Sequence, residues 1–419
     1  MPDPAPVSAA ISAPPAGSPA HAMLATLTGL PTAAGREGHV IAWVRRWVAD
    51  RPGLRLRQDR FGNLMIKRVG VTSRRPIILA AHMDHPAFIV TGVDGADLLA
   101  SFRGGVHTRF FDNTRVTVHA AAPSPGFSIE RGERDEAGAG AGGTGGRIVG
   151  VEEGEGGRDQ RVRVRLDAAA SVPTGSIMRW ELPGPRVEGD RLLAPACDDL
   201  AGVAAALAAL ERVAAAPAGD GTGATGSVAG DVAGGVAGDV RVLLTRAEEV
   251  GFIGAIAACH SGILPRRSRI VALENSKAFD ESPIGGGPIL RVGDRTSTFD
   301  PDLTYRLGRV ADASAQTDGN TSFTWQRKLM AGGTCEASAY QAHGYTAACL
   351  CLPLGNYHNM NDAIGRIDSE TISVADYDHL VTWLAAIASR LDADDATLGL
   401  RERLDTLYEA RRAILDEQP

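Results

Sequence analysis

The 419-residue sequence lacks most features that mark secreted, disulfide-stabilised or membrane-spanning proteins. It has only five cysteines and no CxxC pair, so neither a disulfide framework nor a thiolate zinc site is indicated. No run of about eighteen apolar residues occurs, which argues against a transmembrane helix. The N-terminal residues lack the basic and apolar regions of a secretory signal, so we expect a cytoplasmic location.

The sequence also lacks any block of lysine and arginine. Its formal net charge is -7 and its pI is near 5.8, which argues against nucleic acid or an anionic membrane surface as the main partner. Hydrophobic residues make up 44% of the chain, which predicts a globular protein with one large domain or two medium domains. A small-molecule or peptide ligand remains compatible with this composition.

Three segments have compositions that predict disordered tails or surface loops. They are residues 1–19, which are rich in proline, alanine and serine, the Gly/Glu/Arg stretch Arg131 to Gln160, and the Ala/Gly/Asp tract Ala216 to Asp239. Such segments cannot bury enough apolar surface to offset the entropy lost on ordering the chain.

Four short apolar runs predict the buried central strands of a parallel sheet, because such strands are covered on both faces. The runs are Pro76 to Ala81, Val240 to Thr245, Arg269 to Leu273 and Thr346 to Pro353. Helical patterns lie between and around them, at Asp199 to Val213, Gly254 to His260, Glu336 to His343, Ile372 to Leu391 and Ala396 to Ile414. Strands that alternate with helices predict an α/β sandwich with a mainly parallel sheet.

A different pattern between about Gly92 and Arg191 predicts a small all-β domain inserted into the α/β domain. Its apolar pieces are short and separated by Gly/Pro turns: Thr114 to Ala120, Arg147 to Val151, Gln160 to Leu166 and Gly175 to Leu182. We therefore expect an α/β domain of residues 20–91 and 192–419, an inserted all-β domain of residues 92–191, and a disordered tail of residues 1–19.

Residues of types that bind metals follow the predicted central strands, where ligands bind in open α/β sheets. They are His82, Asp84, Glu248, Glu249, Glu274 and His358. An acidic pair, Asp198-Asp199, precedes the first helix after the insertion. Several carboxylates in one pocket repel each other unless a cation is present. Nitrogen and oxygen ligands without thiolate favour Zn²⁺, with Co²⁺ or Mn²⁺ as alternatives, and five ligands suffice for two bridged ions.

Seven segments resemble, in order, the successive motifs of the M42 metallopeptidases, a family that includes glutamyl and tetrahedral aminopeptidases. They are AHMDHPAFIV from Ala81, ACDDLAGV from Ala196, TRAEEVGFIGA from Thr245, ALEN from Ala272, DESP from Asp280, GGTCEASA from Gly332 and NYHNMND from Asn356. The resemblance covers roughly His21 to Ile372 without the loops. It implies a zinc-peptidase-like α/β/α sandwich with a small inserted β-barrel-like domain, and a homo-oligomer that is a dimer or a dodecamer.

The resemblance also implies the activity and the metal ligands. The expected reaction is the removal of N-terminal residues from peptides or aminoacyl amides by a two-metal aminopeptidase. One ion would be bound by His82 and Glu274 and the other by Glu249 and His358, while Asp198 would bridge both.

Two further carboxylates receive roles from the same resemblance. Glu248 matches the general base, which takes a proton from metal-bound water, generates the hydroxide nucleophile and passes the proton to the leaving amine. Asp84 matches the carboxylate that orients His82. A cis peptide bond between Asp198 and Asp199 is also implied.

The sequence departs from the family pattern at four places. His85-Pro86 stands where an acidic and a small residue are usual, Cys335 and Glu274 each stand where aspartate is usual, and Leu200 replaces a frequent basic residue. The change at Glu274 is chemically mild. The others bear on substrate preference and assembly more than on the metals.

Three alternatives remain at this point. An M20-like amidohydrolase or deacylase would use the same two-metal site, but its inserted domain would be of the α/β type. A non-catalytic metal-binding or peptide-binding protein would not need Glu248. A glycosidase that used Glu248 and Glu249 would leave the histidines at the neighbouring strand ends unexplained.

Overall fold

The structure is a computed structural model, and it describes residues 17–120, 143–152, 160–215, 238–317, 323–392 and 395–417. The α-helices are α1 (Pro19–Gly29), α2 (Gly38–Ala49), α3 (Leu200–Ala215), α4 (Ile253–Ser261), α5 (Pro301–Thr317), α6 (Glu336–Ala342), α7 (Val374–Arg390) and α8 (Asp395–Arg411). The first eleven strands are β1 (Leu54–Gln58), β2 (Leu64–Arg68), β3 (Ile77–His82), β4 (Ala87–Asp94), β5 (Asp97–Arg103), β6 (Arg115–His119), β7 (Thr144–Glu152), β8 (Arg161–Leu166), β9 (Ile177–Trp180), β10 (Arg186–Glu188) and β11 (Arg191–Ala194). The others are β12 (Val240–Thr245), β13 (Arg269–Lys277), β14 (Ile289–Gly293), β15 (Gln326–Leu329), β16 (Thr346–Leu354), β17 (Met360–Asn361), β18 (Arg366–Ile367) and β19 (Glu370–Ser373).

Eight strands form the central sheet, in the order β1-β2-β12-β3-β13-β16-β14-β15. The four central strands, β12, β3, β13 and β16, run parallel to one another. Every residue of β3 and β12 is buried, which shows that both faces of the sheet are covered. These four strands are the four predicted apolar runs, and the predicted α/β fold with a mainly parallel sheet is confirmed.

Helix α3 shows how the sequence brings a chain segment close to the sheet. It is rich in alanine, and most of its residues are buried in the core together with β3 and α7. Small side chains allow the helix backbone to approach its neighbours, and alanine has the highest helix propensity. The helix begins directly after the acidic pair Asp198-Asp199, so its packing fixes where that pair lies.

The inserted unit is a closed six-stranded antiparallel barrel, in the order β4-β5-β8-β7-β6-β9. Its core is aromatic: the ring of Phe88 lies 4.8 Å from that of Phe102, 5.5 Å from that of Phe111 and 4.9 Å from that of Trp180. The four predicted β pieces correspond to β6, β7, β8 and β9, and the predicted barrel-like insertion is confirmed. Its first two strands, β4 and β5, were not predicted.

The segments predicted to be disordered are only partly described. Strand β7 lies inside the stretch Arg131 to Gln160, so that prediction was wrong for residues 144–152: Ile148 is buried in the barrel core and Val151 packs against it. Residues 1–16, 121–142, 153–159 and 216–237 lie outside the described residues. Within the described part of the chain, the helices are too short or too polar to cross a membrane.

Candidate metal centre

The structure brings the predicted site residues together at the carboxyl ends of the central strands. His82 ends β3, Glu274 lies in β13, and the others lie in the loops that follow β11, β12 and β16. Among the described residues, two groups of three have ligand atoms within 4.8 Å of one another: His82, Glu248 and Glu274, and Asp198, Glu249 and His358.

Asp198 lies between the two groups. Its Oδ1 atom is 3.5 Å from Nε2 of His82, and its Oδ2 atom is 3.6 Å from Nε2 of His358. Oε2 of Glu249 is 3.4 Å from the same nitrogen of His358. A carboxylate with one oxygen near each imidazole has the arrangement that a bridge between two ions requires.

Glu248 lies in the first group, with Oε2 at 4.0 Å from Nε2 of His82. This position is compatible with contact to an ion as well as with the predicted role of a base. Its assignment as the base therefore remains a prediction.

Three carboxylate oxygens in this pocket are buried and find no hydrogen-bond partner among the described residues. They are Oδ1 of Asp198, Oε1 of Glu249 and Oε1 of Glu274. Buried polar atoms without partners are rare, because each loses its contacts with water and gains nothing in return. A pair of divalent cations would satisfy these atoms, so the residues present fit a two-metal site.

Without bound cations, the carboxylates and imidazoles of this pocket have strongly shifted pKa values. Burial raises the pKa of Glu249 to about 7 and raises the pKa values of Glu248 and Glu274 well above their usual range. Burial opposes a charge on the imidazoles too, but the nearby carboxylates prevail and hold the pKa of His82 well above normal and that of His358 at about 10. Bound cations would allow all of the carboxylates to ionise.

Side chains from outside the site hold the loop that carries Glu248 and Glu249. The backbone N–H groups of residues 246–249 donate to Asn63 at 3.2 Å, to Glu37 at 3.0 Å and to the two oxygens of Asp84 at 3.0 and 3.1 Å. Four consecutive amides are thus fixed by side-chain acceptors, which sets the direction in which both glutamates leave the backbone.

Asp84 therefore does more than the sequence predicts. Its Oδ1 atom lies 3.6 Å from Nδ1 of His82, too far for a good hydrogen bond, while its own backbone carbonyl lies 3.2 Å from that nitrogen. The hydrogen bonds of the Asp84 carboxylate go to the amides of Glu248 and Glu249. Asp84 thus connects the loops that carry His82 and the glutamate pair.

Several residues near the site were not predicted. The carbonyl of Gly105, in the inserted unit, lies 2.7 Å from Nδ1 of His358 and orients that ring. His85 lies between the carbonyl of Asp198 at 2.5 Å and Oδ1 of Asn359 at 3.0 Å, and burial lowers its pKa to about 4. Gly105 acts through its backbone, so no residue-type signal could have identified it.

Two buried glutamates complete the surroundings. Burial raises the pKa of Glu336 to about 7, and Glu336 accepts a hydrogen bond from the Tyr340 hydroxyl at 3.2 Å. It belongs to the quoted motif GGTCEASA, so the sequence held a signal for it. Glu370 accepts hydrogen bonds from the backbone of two ligand-bearing loops and lies outside every quoted motif. The peptide bond between Asp198 and Asp199 is cis, as the resemblance implies.

An α/β sandwich with an inserted barrel, and with imidazoles and carboxylates gathered at its strand ends, defines a metallohydrolase. The family model of M42 glutamyl aminopeptidase matches residues 158–374, more than half of the chain. The chain belongs to this family and is a metallo-aminopeptidase, and the resemblance drawn from the sequence is confirmed. A comparison with curated proteins finds no significant match.

Solved structures share this fold over most of the chain. The TET1 peptidase of Pyrococcus horikoshii is 19% identical with a TM-score of 0.66, over 88% of this chain and 99% of that one. An aminopeptidase of Desulfurococcus kamchatkensis is 20% identical with a TM-score of 0.66, over 90% and 97%. An M18 aminopeptidase of Thermotoga maritima is 14% identical with a TM-score of 0.57, over 88% and 95%.

Proposed function

We propose that this aminopeptidase removes N-terminal residues from peptides with two divalent ions. His82 and Glu274 hold one ion, Glu249 and His358 hold the other, and Asp198 bridges them. The observation that carries this proposal is the position of Asp198, with one oxygen near each imidazole, in a pocket of buried and unpartnered carboxylate oxygens. Imidazole and carboxylate ligands without thiolate favour Zn²⁺, with Co²⁺ or Mn²⁺ as alternatives.

The chain's own residues supply the proton transfer and the orientation. When bound, the ions provide Lewis acidity toward the scissile carbonyl and toward water. Glu248 accepts a proton from the attacking water and delivers it to the leaving amine. Asp84 holds Glu248 in place through the Glu248 backbone N–H, at 3.0 Å.

Two observations favour this function over the alternatives. The inserted unit is a closed antiparallel barrel and not an α/β lid, which argues against the M20-like deacylase. The match to the M42 glutamyl aminopeptidase model and the aminopeptidases among the solved structures support catalysis over simple metal or peptide binding. We also propose that the chain works as a homo-oligomer, because solved structures of this fold include a dodecamer and a Pyrococcus horikoshii peptidase that forms tetrahedral or octahedral shells. The cytoplasmic location expected from the sequence stays a prediction.

The variant Glu248→Gln tests the mechanism. With Co²⁺ or Zn²⁺ added, the wild-type chain should hydrolyse aminoacyl p-nitroanilides, and Glu248→Gln should lose roughly 10²- to 10⁴-fold in kcat, because the amide cannot accept the proton. Calorimetry should show that the variant still binds metal. Light scattering on the same preparations measures the assembly, and a monomeric wild type contradicts the proposed oligomer.

Glu188→Gln is the matched control, since Glu188 is an exposed carboxylate on β10 that pairs with Arg186 at the surface. It should keep wild-type kcat. Full activity in a metal-loaded Glu248→Gln variant would show that Glu248 is not the base.

A further inference from the structure

Glu370 connects the two loops that carry Asp198 and His358. Its side chain is completely buried. Oε2 accepts hydrogen bonds from the backbone N–H groups of Cys197 at 2.7 Å and Asp198 at 3.0 Å, and Oε1 accepts one from the N–H of His358 at 2.8 Å. One carboxylate thus fixes the backbone of two proposed metal ligands that are 160 residues apart in sequence.

Strand β19 places Glu370 between these loops. On one side β19 pairs with β11, where Glu370 lies opposite Ala194, four residues before Asp198. On the other side Thr371 and Gly355 exchange backbone hydrogen bonds of 2.8 and 3.1 Å, three residues before His358. The two oxygens of Glu370 therefore contact segments that β19 already aligns.

The loop that carries His358 needs such support. Asn356, His358 and Asn359 all have left-handed backbone conformations, with φ of 53°, 55° and 63°. Residues with a Cβ adopt this region rarely and keep it only where the surrounding structure enforces it. Glu370 binds the N–H of the central residue of this set, and the N–H of Asp368 donates to the carbonyl of Asn359 at 2.9 Å.

Glu370 holds this loop without belonging to the metal-binding groups. It is absent from both groups that the described residues form, although Asp198 and His358 both lie in the second one. Three backbone N–H groups donate to this one carboxylate, and burial raises its pKa to about 8. Its oxygens are engaged by amides, whereas Asp198, Glu249 and Glu274 each have an oxygen with no hydrogen-bond partner among the described residues.

We propose that Glu370 is a positioning residue of the metal centre, which sets the distance between the bridging carboxylate of Asp198 and the imidazole of His358. The inference rests on the proposed two-metal function. Replacement by glutamine puts an NH₂ group against backbone N–H donors, so one loop or the other must move away. The ion held by Asp198, Glu249 and His358 should therefore be weakened more than the ion held by His82 and Glu274.

Metal binding tests this proposal independently of catalysis. Metal-free wild type and Glu370→Gln are titrated with Co²⁺ and followed by calorimetry and visible absorption. The wild type should bind two ions, and Glu370→Gln should lose roughly 10- to 100-fold in affinity for one of them, as substitutions of groups that support metal ligands do. Glu370→Asp keeps the charge on a shorter side chain and should lose less. Glu370→Asp is also the variant to titrate with Co²⁺ if Glu370→Gln does not fold.

Asp376→Asn is the matched control for a purely structural effect. Asp376 is also buried, and its two oxygens accept backbone hydrogen bonds from Gly285 at 2.7 Å and Gly287 at 2.8 Å, in a loop outside both metal-binding groups of the described residues. It should lower the melting temperature while keeping wild-type Co²⁺ affinity.

The outcomes separate this inference from the proposed function. Wild-type Co²⁺ affinity at both sites in Glu370→Gln overturns the positioning role, and so does an equal loss in Asp376→Asn. A wild-type chain that binds two ions but cleaves no aminoacyl amide overturns the proposed reaction and leaves the role of Glu370 standing. A wild-type chain that binds no Co²⁺ overturns both.

Discussion

At the scale of single residues, five carboxylates around the metal centre differ in what their oxygens contact. Asp84 and Glu370 direct both of their oxygens at backbone N–H groups. Asp198, Glu249 and Glu274 each keep one oxygen without a hydrogen-bond partner among the described residues. The hydrogen bonds of Asp84 and Glu370 hold the loops of the site in place. The unpaired oxygens of Asp198, Glu249 and Glu274 are atoms that bound cations would contact.

His119 should make the stability of the protein depend on pH. It lies half-buried in β6, its Nε2 atom has no hydrogen-bond partner in the described part of the chain, and burial lowers its pKa to about 4 from an ordinary value of 6.5. The unfolded chain therefore binds a proton more readily than the folded chain between these values. Stability present at pH 7 should be lost as the pH falls through 6.5 toward 4, by about 2 kcal/mol between pH 7 and pH 5.

Urea unfolding at pH 7 and pH 5 measures this contribution. His119→Gln should reduce the loss of stability between the two pH values by about 2 kcal/mol relative to wild type. His343→Gln, which changes an exposed histidine, should not alter that loss. An equal loss in wild type and His119→Gln would show that His119 does not carry the effect.

The residues that could be predicted from the sequence are those whose side-chain type carries the chemistry. His82 and Glu274 follow apolar runs of sequence and are of residue types that bind metals, so pattern and chemistry predict them together. Gly105 contributes a backbone carbonyl, and Glu370 acts on amides that are distant along the chain. Neither residue is recognisable before the fold brings these groups together.

At the scale of secondary-structure elements, the predicted strands are those with continuous apolar sequence. Strands β3 and β12 are buried on both faces, and their polar residues are only His82 in β3 and Arg241 and Thr245 in β12. Strand β5 has the sequence DLLASFR and lies in the barrel with alternating exposure toward its end. Short barrel strands bury one face only, so their sequences give a weaker signal than central strands do.

Two glycines in helices should respond in opposite directions to substitution by alanine. A Cβ atom at Gly202, in α3, would lie 2.2 Å from Oδ1 of Asp199, which is buried and accepts a hydrogen bond from Asn275 at 2.9 Å. A Cβ atom at Gly308, in α5, meets only side-chain carbons of Trp325 and Leu290, at 3.4 and 3.5 Å. Gly202→Ala should destabilise by about 1–3 kcal/mol through overpacking, and Gly308→Ala should stabilise by up to about 1 kcal/mol through helix propensity.

Denaturant unfolding of the metal-free variants checks this pair, and each variant serves as the control for the other. Both changes add the same methyl group to a helix, so intrinsic propensity cancels in the comparison. Equal free energies of unfolding for the Gly202→Ala and Gly308→Ala variants would show that Asp199 moves aside without cost.

At the scale of the whole molecule, the metal centre joins parts of the chain that are remote in sequence. Its proposed ligands extend from His82 to His358, and the ring of His358 is held by the carbonyl of Gly105 in the inserted barrel. An unfolded chain cannot present these groups together. The ions should therefore bind the folded state selectively and stabilise it as a unit.

Removal of the ions should lower the melting temperature, and added Zn²⁺ should restore it in proportion to the logarithm of its free concentration. A ligand at 100 times its Kd stabilises the folded state by about 2.7 kcal/mol. Differential scanning calorimetry with a chelator and with buffered Zn²⁺ measures this dependence. Asp198→Asn should reduce it strongly, because the bridging charge is lost, whereas the exposed-site variant Asp302→Asn should keep it. Equal melting temperatures with chelator and with Zn²⁺ would show that the ions do not stabilise the folded state, and would contradict this prediction.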